Sequence, residues 1–361
     1  MKFTIDIKST TDALKKCSAA QTGRQTLPIL SCIKLEADGD GLRLTSTDLD
    51  RFVSCKVPAE VVKPGSIAIS GKMLSGILSG SGTATFEVDS KHKAVIRCGS
   101  SKFRISGLAA SEMPELISVK NPETFQITSE EWLRASSAVK WAAFVGQGRD
   151  TLVGTLLTSN EDGLVLVATD GRCLSKTAAE CEGSFSGEAI IPTESMAMLD
   201  ALASGDGMMT VHIGGGVLSA ELGGDVVVTK LIEGYYPNWR QVVPNYGKDD
   251  VTRLDVGAKA ILEAIGRVSV VASDKACSAN LESNGATLTI SMGHEDNASA
   301  EFGVEIEGPP VKIKLNPRLL SNPFRYWNAD VLKVEVRDEM SPAVVTHERN
   351  LFVVMPMRIT Q

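Results

Sequence analysis

The chain has 361 residues, too many for one ordinary hydrophobic core and enough for three domains of about 120 residues each. Apolar residues make up 43% and charged residues 22%, as in soluble globular proteins, and no apolar run approaches the ~20 residues that span a bilayer. The net charge of −7 by itself argues against a nucleic-acid binder and against a protein of anionic membranes, although it does not say how the charges are distributed.

Cysteine and histidine spacing disfavours metal and disulfide chemistry. The seven cysteines are odd in number and include no Cys-x-x-Cys pair, and the four histidines lie far apart in the sequence. We therefore expect no metal and no cofactor. Residues 1–10 contain no apolar signal core, which predicts a cytoplasmic protein.

One sequence pattern recurs along the chain at intervals of about a third of its length. It consists of a short alternating strand, a polar helix start and a helix with apolar residues at i, i+3 and i+4. The copies are Phe3–Ala20, Phe125–Ala143 and Thr252–Ala272. A repeat of such large units predicts three similar domains, and it favours a symmetric scaffold or ring over an enzyme with a single cleft.

Each third contains a second helix of the same kind and several hairpin strands. The second helices lie in Gly65–Gly80, Gly187–Gly207 and Val311–Asp330, with Gly, Thr or Asn at the expected cap position. Alternating strands such as Gly41–Leu49, Gly163–Gly171 and Ala286–Gly293 are bounded by turn residues. We therefore predict an α+β fold of three repeated domains, 1–121, 122–245 and 246–361. Each domain should comprise two βαβββ halves, with the helices on one face of antiparallel sheet.

Familiar catalytic motifs are missing from the sequence. There is no phosphate-binding loop and no Gly-x-Ser-x-Gly, and Gly214–Gly216 reads as a hairpin turn between two strands. A Thr-Asp pair follows a strand twice, at Thr47–Asp48 and Thr169–Asp170. Repetition at equivalent places predicts a structural turn, in which these side chains bond the nearby backbone, rather than a catalytic carboxylate.

Basic residues outnumber acidic ones on the predicted helices. The two sets are Lys8, Lys15, Lys16, Lys72, Arg134, Lys140, Lys259, Arg267, Arg318 and Arg325 against Asp12, Glu130, Glu131, Glu194 and Glu263. Two interpretations remain open. The helices could present separate solvated faces, or they could share one positive surface while the sheets present a negative one.

Several stretches together are distinctive: Gly23–Asp50, Leu164–Ser175, Lys230–Pro244 and Asn350–Ile359. With these stretches in this order, the chain resembles the bacterial DNA polymerase III beta subunits, the sliding clamps, over its whole length. The resemblance implies a head-to-tail homodimer that closes as a ring, with helices inside and sheets outside. It implies that the ring encircles duplex DNA without reading bases, tethers DNA polymerase for processivity, and has no catalytic site of its own.

The resemblance also implies the partners. They are double-stranded DNA, the DNA polymerase III alpha subunit and other polymerases, the clamp-loader ATPase complex, and repair proteins with clamp-binding peptides; no membrane is involved. Family members hold peptides of the Gln-Leu-x-Leu-Phe type in an apolar pocket between the second and third domains. The matching positions here are Leu152, Thr169, Gly171, Arg172, Leu174, Pro237, Val242, Val353, Val354, Met355, Pro356 and Met357.

Two further sets of residues follow from the resemblance. Contacts to DNA are expected from Arg24, Lys72 and Arg149. The dimer interface is expected at Phe103, Val270 and Val271, between the first domain of one chain and the third domain of the other. Apart from the resemblance, the segment that ends in Val353–Met357 could equally be a plain edge strand that finishes the third domain, because Pro356 cannot donate a ladder hydrogen bond and disfavours a central strand.

The chain departs from the family pattern at several positions. Cys173 stands where relatives usually have Arg, and alternation along a strand would place Arg172 on the opposite side. Gln241 replaces an Arg found in some relatives, so the pocket is expected to be less basic. Glu194 lies where relatives can be basic, which predicts a weaker DNA contact there.

Two other functions compete with the clamp. The first is an enzyme with Cys173 as nucleophile, its thiolate stabilised by Arg172 beside Asp170. The second is a repeat scaffold that binds proteins only.

Overall fold

The computed structural model describes residues 1–21, 27–160, 163–247, 251–271, 278–293 and 297–357. The chain forms two compact units, Met1–Leu133 with Cys181–Ile232, and Arg134–Glu180 with Glu233–Gln361. Within them, the predicted βαβββ halves occur in all three thirds, and we number these halves one to six along the chain.

The first third contains halves one and two, joined by an additional strand. Half one is β1 (Lys2–Asp6), α1 (Ile7–Ala19), β2 (Cys32–Asp38), β3 (Gly41–Thr47) and β4 (Arg51–Val57). After the additional strand β5 (Ala59–Lys63), half two is β6 (Gly65–Ser70), α2 (Gly71–Ile77), β7 (Thr83–Val88), β8 (Lys93–Cys98) and β9 (Ser101–Ser106).

The second third repeats this order as halves three and four. Half three is β10 (Glu123–Thr128), α3 (Ser129–Val139), β11 (Gly154–Asn160), β12 (Gly163–Thr169) and β13 (Cys173–Ala179). After the short strand β14 (Glu182–Gly183), half four is β15 (Glu188–Pro192), α4 (Thr193–Leu202), β16 (Met208–Gly214), β17 (Val217–Leu222) and β18 (Asp225–Lys230).

The final third contains halves five and six. Half five is β19 (Thr252–Gly257), α5 (Ala258–Val268), β20 (Ala279–Asn284), β21 (Thr287–Gly293) and β22 (Asn297–Gly303). After the additional strand β23 (Glu305–Glu307), half six is β24 (Lys312–Leu315), α6 (Pro317–Tyr326), β25 (Val331–Val336), β26 (Ala343–His347) and β27 (Asn350–Val354).

Each compact unit contains a long antiparallel sheet and a shorter one. In the first unit the strand orders are β14-β10-β16-β17-β18-β4-β3-β2-β6 and β5-β1-β7-β8-β9. In the second unit they are β11-β12-β13-β27-β26-β25-β19-β23 and β22-β21-β20-β24. Each long sheet therefore joins the last three strands of two halves edge to edge, and the two halves come from different thirds.

The two junctions between halves have the same register. In the first unit, the last strand of half one pairs with the last strand of half four, with Val53 opposite Val227. In the second unit, the last strand of half three pairs with the last strand of half six, with Ser175 opposite Phe352. On the neighbouring strands, the partners of these residues lie at matching distances from the hairpin turns in both units. The two pairs therefore occupy equivalent places in the repeat.

Helices lie on one face of the sheets, as predicted, and buried serines help to fix them there. Ser46 Oγ donates to the carbonyl of Cys17 in α1 at 2.7 Å, and Ser175 Oγ donates to the carbonyl of Ala138 in α3 at 2.7 Å. Both acceptors lie in the last turn of their helix, where carbonyls lack the usual i+4 partner. The carbonyl of Cys17 also accepts from the N–H of Ala20 at 3.2 Å, and that of Ala138 from the indole N–H of Trp327 at 3.2 Å. The hydroxyls add a bond at each helix end and help to set its position on the sheet.

The predicted caps and turns are partly confirmed. Asn316 caps α6, because its side chain accepts from the backbone N–H of Arg318 at 2.9 Å. Thr193, in contrast, is the first residue of α4 rather than its cap, and α2 has no side-chain cap bond. The hairpin at Gly215 and Gly216 is confirmed: both have positive φ, which glycine adopts without steric cost.

The interpretation of the terminal segment as an edge strand is wrong. β27 pairs with β13 on one side and with β26 on the other, so it is an interior strand. It ends at Val354, before Pro356, and the missing N–H therefore falls outside the ladder.

An ion pair reinforces the junction between halves one and four. Lys16 Nζ in α1 lies 2.8 Å from Asp225 Oδ2 at the start of β18, and Asp225 Oδ1 accepts from the backbone N–H of Lys56 at 2.9 Å. The two side chains are only 21% and 16% exposed. In contrast, the Lys15–Asp12 pair on the same helix is 74% and 69% exposed.

This contrast gives a test of the junction. Replacing Asp225 by Ala leaves a half-buried ammonium and a backbone N–H without their acceptor, and we expect it to lower the free energy of unfolding by about 1–3 kcal/mol. The matched variant Asp12→Ala removes an exposed pair and should cost less than about 0.5 kcal/mol. Urea denaturation of both variants provides the comparison, and equal losses would contradict a structural role for the Lys16–Asp225 pair.

Candidate functional site

The turn between β12 and β13 is built as the sequence predicts. Thr169 Oγ1 donates to the carbonyl of Cys173 at 2.6 Å and accepts from the N–H of Gly171 at 3.1 Å. Asp170 Oδ1 accepts from the N–H groups of Arg172 and Cys173 at 2.7 and 2.8 Å. The turn after β3 repeats these bonds, since Thr47 and Asp48 also accept from nearby backbone N–H groups. Both carboxylates are therefore engaged in turn geometry.

The predicted pocket residues on the strands form one row across the sheet of the second unit. Thr169 lies opposite Leu174, Leu174 opposite Val353, and Val353 opposite Val344. Directly paired residues of antiparallel strands share a face, so these four side chains point to the same side. All four are buried. Val344 was missed by the sequence reasoning, because the partner of a strand residue cannot be read from local pattern.

The chain beyond β27 forms the rim of this row. Met355 donates its backbone N–H to the carbonyl of Arg172 at 2.9 Å, and Met357 donates to the carbonyl of Lys314 at 2.8 Å. The side chains of Met355, Pro356 and Met357 are half-buried. Val354, one residue earlier, is buried opposite Cys173 on the other face of the sheet.

A cavity of about 240 Å³ adjoins Met357. Its walls include Ile313, Lys314, Glu339 and Met340, and the side chain of Met340 is 68% exposed. Two flexible methionines beside an opening can repack around different apolar groups. Sequence reasoning missed Met340, although a methionine within the polar stretch Arg337–Pro342 is a signal that could have found it.

A second cavity, of about 550 Å³, lies at the turn itself. Gly171, Arg172, Phe144 and Arg149 contribute to its walls. The guanidinium of Arg149 donates to the carbonyl of Asp170 at 3.0 Å and lies 5.4 Å from the centre of the Phe144 ring. The structure thus brings Arg149, which was expected to contact DNA, next to the predicted pocket residues Gly171 and Arg172.

The remaining predicted pocket residues lie on connecting segments of the same unit. Leu152 is buried, and its carbonyl accepts from the N–H of Phe144 at 2.9 Å. Pro237 is exposed and Val242 is half-buried, on the segment that follows Tyr236. The hydroxyl of Tyr236 lies 3.5 Å from the carbonyl of Val167 and fixes this segment against β12.

Of the three residues expected to contact DNA, the structure describes Lys72 and Arg149 but not Arg24. Lys72 is exposed in the first turn of α2. Of the other helix cations, Lys16 is paired with Asp225, and Arg134 donates to Thr177 and to the carbonyl of Ala178. The surface cations of the helices are therefore Lys8, Lys15, Lys72, Lys259, Arg267, Arg318 and Arg325.

The residues expected at the dimer interface are an exposed valine and two half-buried side chains. Phe103 is half-buried in the middle of β9. Val270 is 83% exposed just after α5, and Val271 beside it is half-buried. Among the residues that the structure describes, most of the surface of Val270 is left uncovered.

Cys173 is buried in the sheet rather than poised in a cleft. Its side chain is 4% exposed, and Arg172 points to solvent from the turn before the strand. Burial, with the nearby carboxylate of Asp170, raises the pKa of the Cys173 thiol. The arrangement is opposite to that of an activated cysteine, which is accessible and has a lowered pKa.

The described residues supply neither a metal-ligand cluster nor a membrane-spanning helix. Among them, no group of three or more His, Cys, Asp or Glu side chains is placed to hold a metal ion. No helix within the described ranges has the length and apolar character required to cross a bilayer.

The environment of Cys173 predicts its reactivity. In the folded protein at pH 8, we expect iodoacetamide to label Cys173 far more slowly than the partly exposed Cys181, because a buried thiol with a raised pKa forms little thiolate. Peptide mass spectrometry gives both rates, and labelling after denaturation provides the control. Faster labelling of Cys173 than of Cys181 would favour the cysteine-enzyme hypothesis.

Comparison with known proteins places the chain in one family. Models of the DNA polymerase III beta subunit match residues 1–117 as the N-terminal domain, 126–238 as the central domain and 240–358 as the C-terminal domain. The beta sliding clamp of Chlamydia muridarum is 26% identical over 366 residues, covering 99% of both chains. That of Vibrio cholerae is 25% identical over 370 residues, covering 99% of this chain and 100% of its own.

Solved structures give the same result. The sliding clamp of Bacillus subtilis, 23% identical, has a TM-score of 0.91 with both chains covered to 100%, which supports the fold. The Pseudomonas aeruginosa sliding clamp bound to griselimycin is 26% identical, with a TM-score of 0.93 over 99% of this chain and 100% of its own. With family models matched along nearly its whole length, the chain belongs to the DNA polymerase III beta subunit family of bacterial sliding clamps.

Proposed function

We propose that this protein is the sliding clamp of a bacterial replicase. Two copies close head to tail into a ring around duplex DNA, and the ring tethers DNA polymerase and other partners through a peptide pocket. Family membership supports this function, as do the relatives named beta sliding clamps along the whole chain. Domains at 1–121, 122–245 and 246–361 belong to the same proposal.

Two edge strands that lack a pairing strand on one side give the main support for the ring. The last strand of half one pairs with that of half four, and the last strand of half three with that of half six. Only the last strands of halves two and five remain, β9 and β22. Within the described residues, each is the edge of its sheet. In both junctions an odd-numbered half pairs with an even-numbered half through their last strands. If the same pairing continues, β22 of half five pairs with β9 of half two in a second chain.

The shared register of the two junctions predicts the register of the third. Val53–Val227 and Ser175–Phe352 are equivalent pairs. By the same chain of cross-strand partners, the equivalent residues in halves five and two are Ala298 and Phe103. We therefore infer that Ala298 lies opposite Phe103 of the second chain, which places Ser299 opposite Lys102.

Side-chain packing at the second junction supports the same interface. Trp141, just after α3, lies 5.3 Å from the ring of Phe352 and stacks on Tyr326 at 5.6 Å. Val270 follows α5 as Trp141 follows α3, and Phe103 is the equivalent of Phe352. Contact between Val270 and Phe103 of a second chain would cover the valine that is exposed in the single chain.

Because this contact is head-to-tail, two copies joined at both ends form a closed ring rather than a filament. The helices would line its hole, and their surface cations, Lys72 among them, would face the phosphates. Diffuse Lys and Arg contacts to the backbone attract DNA of any sequence and leave it free to slide. Arg24 and Arg149 stay proposed DNA contacts.

Partner binding is proposed at the row formed by Thr169, Leu174, Val353 and Val344, with the methionine rim. Because these four side chains are already buried, an extended peptide would bind along the half-buried rim of the row, where the flexible Met355 and Met357 would move to admit its apolar side chains. Polymerases, the clamp loader and repair proteins are the partners expected from the family. The buried thiol of Cys173 disfavours the cysteine-enzyme hypothesis. A scaffold that binds only proteins is separated from the clamp by the DNA experiment below.

A disulfide test examines the interface register. In the variant Lys102→Cys/Ser299→Cys, mild oxidation should link two chains, since directly opposite residues have Cβ atoms about 4.5–5.5 Å apart, close to disulfide geometry. The matched variant Arg104→Cys/Ser299→Cys places the thiols diagonally, about 7–8 Å apart, and should link poorly. Non-reducing gels give the yield, and preferential linkage of the diagonal pair would refute the inferred register.

The same linked ring tests encirclement of DNA. Chains linked at both interfaces after loading onto nicked circular DNA should remain bound in high salt and be released when the DNA is cut once. Release from circular and linear DNA at equal rates would contradict the topological mechanism and favour a protein-only scaffold.

The pocket is tested with a fluorescein-labelled Gln-Leu-Ser-Leu-Phe peptide. We expect saturable anisotropy with the wild type and roughly tenfold weaker binding by Met357→Ala, the size typical of losing one well-packed contact. Met208→Ala, an exposed methionine in the first unit, should bind as the wild type does. Equal loss in both variants would argue against a pocket at Met357.

A further inference from the structure

A cluster of two cations lies on the same sheet as the proposed peptide row. Lys176 Nζ is 5.7 Å from the centre of the Trp239 ring, and the guanidinium carbon of Arg240 is 4.5 Å from the same ring. Lys176 is half-buried and Arg240 is exposed. Both positive charges are therefore held close to one indole by cation–π attraction.

The cations face a cavity whose described wall residues carry no negative charge. Its volume is about 430 Å³, and its polar walls are Asn160, Lys176, Trp239, Arg240 and Asn245. Among the residues that the structure describes, neither Lys176 nor Arg240 has a carboxylate in ion-pair distance. The next residues after Asn160, Glu161 and Asp162, lie outside the described ranges.

Trp239 holds the cluster in place. Its side chain is 8% exposed, and its indole N–H is buried without an acceptor in the described part of the chain. The N–H is therefore out of reach of a ligand, and the two cations beside the ring are the groups that can bind one. Two cations at a single cavity suit a carboxylate.

The position of the cluster identifies the source of that carboxylate. Lys176 follows Leu174 by two residues on β13, so both side chains lie on one face of the sheet, about 6.6 Å apart along the strand. An extended peptide with an apolar residue at the rim of the row beside Leu174 therefore brings a side chain one or two residues away within reach of Lys176. We propose that Lys176, Trp239 and Arg240 form an acid-recognition site for partner peptides whose apolar anchor is flanked by Asp or Glu.

This inference rests on the proposed peptide pocket, and its test separates the two. The probes are Gln-Leu-Ser-Leu-Phe carrying Glu-Glu before or after the core, each with a Gln-Gln match. With the wild type at low salt, one Glu-Glu peptide should bind about three- to tenfold tighter than its Gln-Gln match, the size expected for two partly exposed ion pairs. The advantage should shrink at 0.5 M salt, where exposed charges are screened.

Variants assign the effect to the cluster. In Lys176→Met/Arg240→Met, the ratio of the affinities for the Glu-Glu and Gln-Gln peptides should fall to about one. The affinity for the Gln-Gln peptide should stay unchanged, which would show that the pocket is intact. Lys333→Met is the matched control. It removes an exposed cation from the same cross-strand row, three strands away and about 14 Å from Lys176, and should keep the wild-type ratio.

Three results would overturn the inference. In the wild type, the Glu-Glu and Gln-Gln peptides could bind equally well whether the pair precedes or follows the core, while the core peptide binds normally. That result would rule out the acid site but not the peptide pocket. Equal loss of the ratio in Lys333→Met would mean general charge attraction rather than recognition. If the core peptide does not bind at all, the peptide pocket is wrong, and the acid site proposed beside it is wrong as well.

Discussion

The organisation of this chain depends on one constraint, that an exposed sheet edge presents unpaired backbone N–H and C=O groups and must be covered. Each βαβββ half ends in such an edge. The chain covers four of these edges itself, by pairing β4 with β18 and β13 with β27. The two that remain, β9 and β22, would be covered by a second copy in the proposed ring. Assembly of that ring would then use the same backbone pairing that joins the halves within the chain.

The candidate sites follow from this constraint, because they lie where halves meet. The proposed peptide row crosses the β13–β27 junction, and Lys176, beside Trp239, lies two residues beyond Leu174 on β13. The Lys16–Asp225 ion pair lies at the other junction within the chain, where it reinforces pairing instead of binding a partner. A junction brings together residues that are distant in sequence, which is why sites form there and not within one half.

Local sequence pattern predicted the repeated halves, the turn at Thr169–Asp170 and the hairpin at Gly215–Gly216, since strand alternation and turn chemistry are short-range properties. It did not predict that β27 is an interior strand, because its partner β13 lies about half the chain away. Nor did it show that Arg134 is engaged inside its unit, or that Arg149 reaches the turn at Asp170. Such contacts depend on tertiary placement, and composition of a helix face cannot reveal them. The resemblance to a family supplied the pocket residues that pattern alone could not.

Comparison of the three junctions explains why each chain would carry one peptide pocket. Leu174–Val353 at the second junction is equivalent to Phe52–Val228 at the first. There the chain covers the apolar pair itself: Ile117 and Val119, alternate residues of the segment that enters the second third, pack on it. At the proposed interface the equivalent pair is Asn297 and Arg104, which is polar and needs no apolar cover. Leu174 and Val353 are as buried as Phe52 and Val228, but among the described residues only the second junction adjoins a rim of half-buried methionines. The first junction, filled by an extended stretch of the chain with alternate apolar side chains, shows the kind of ligand that such a row accepts.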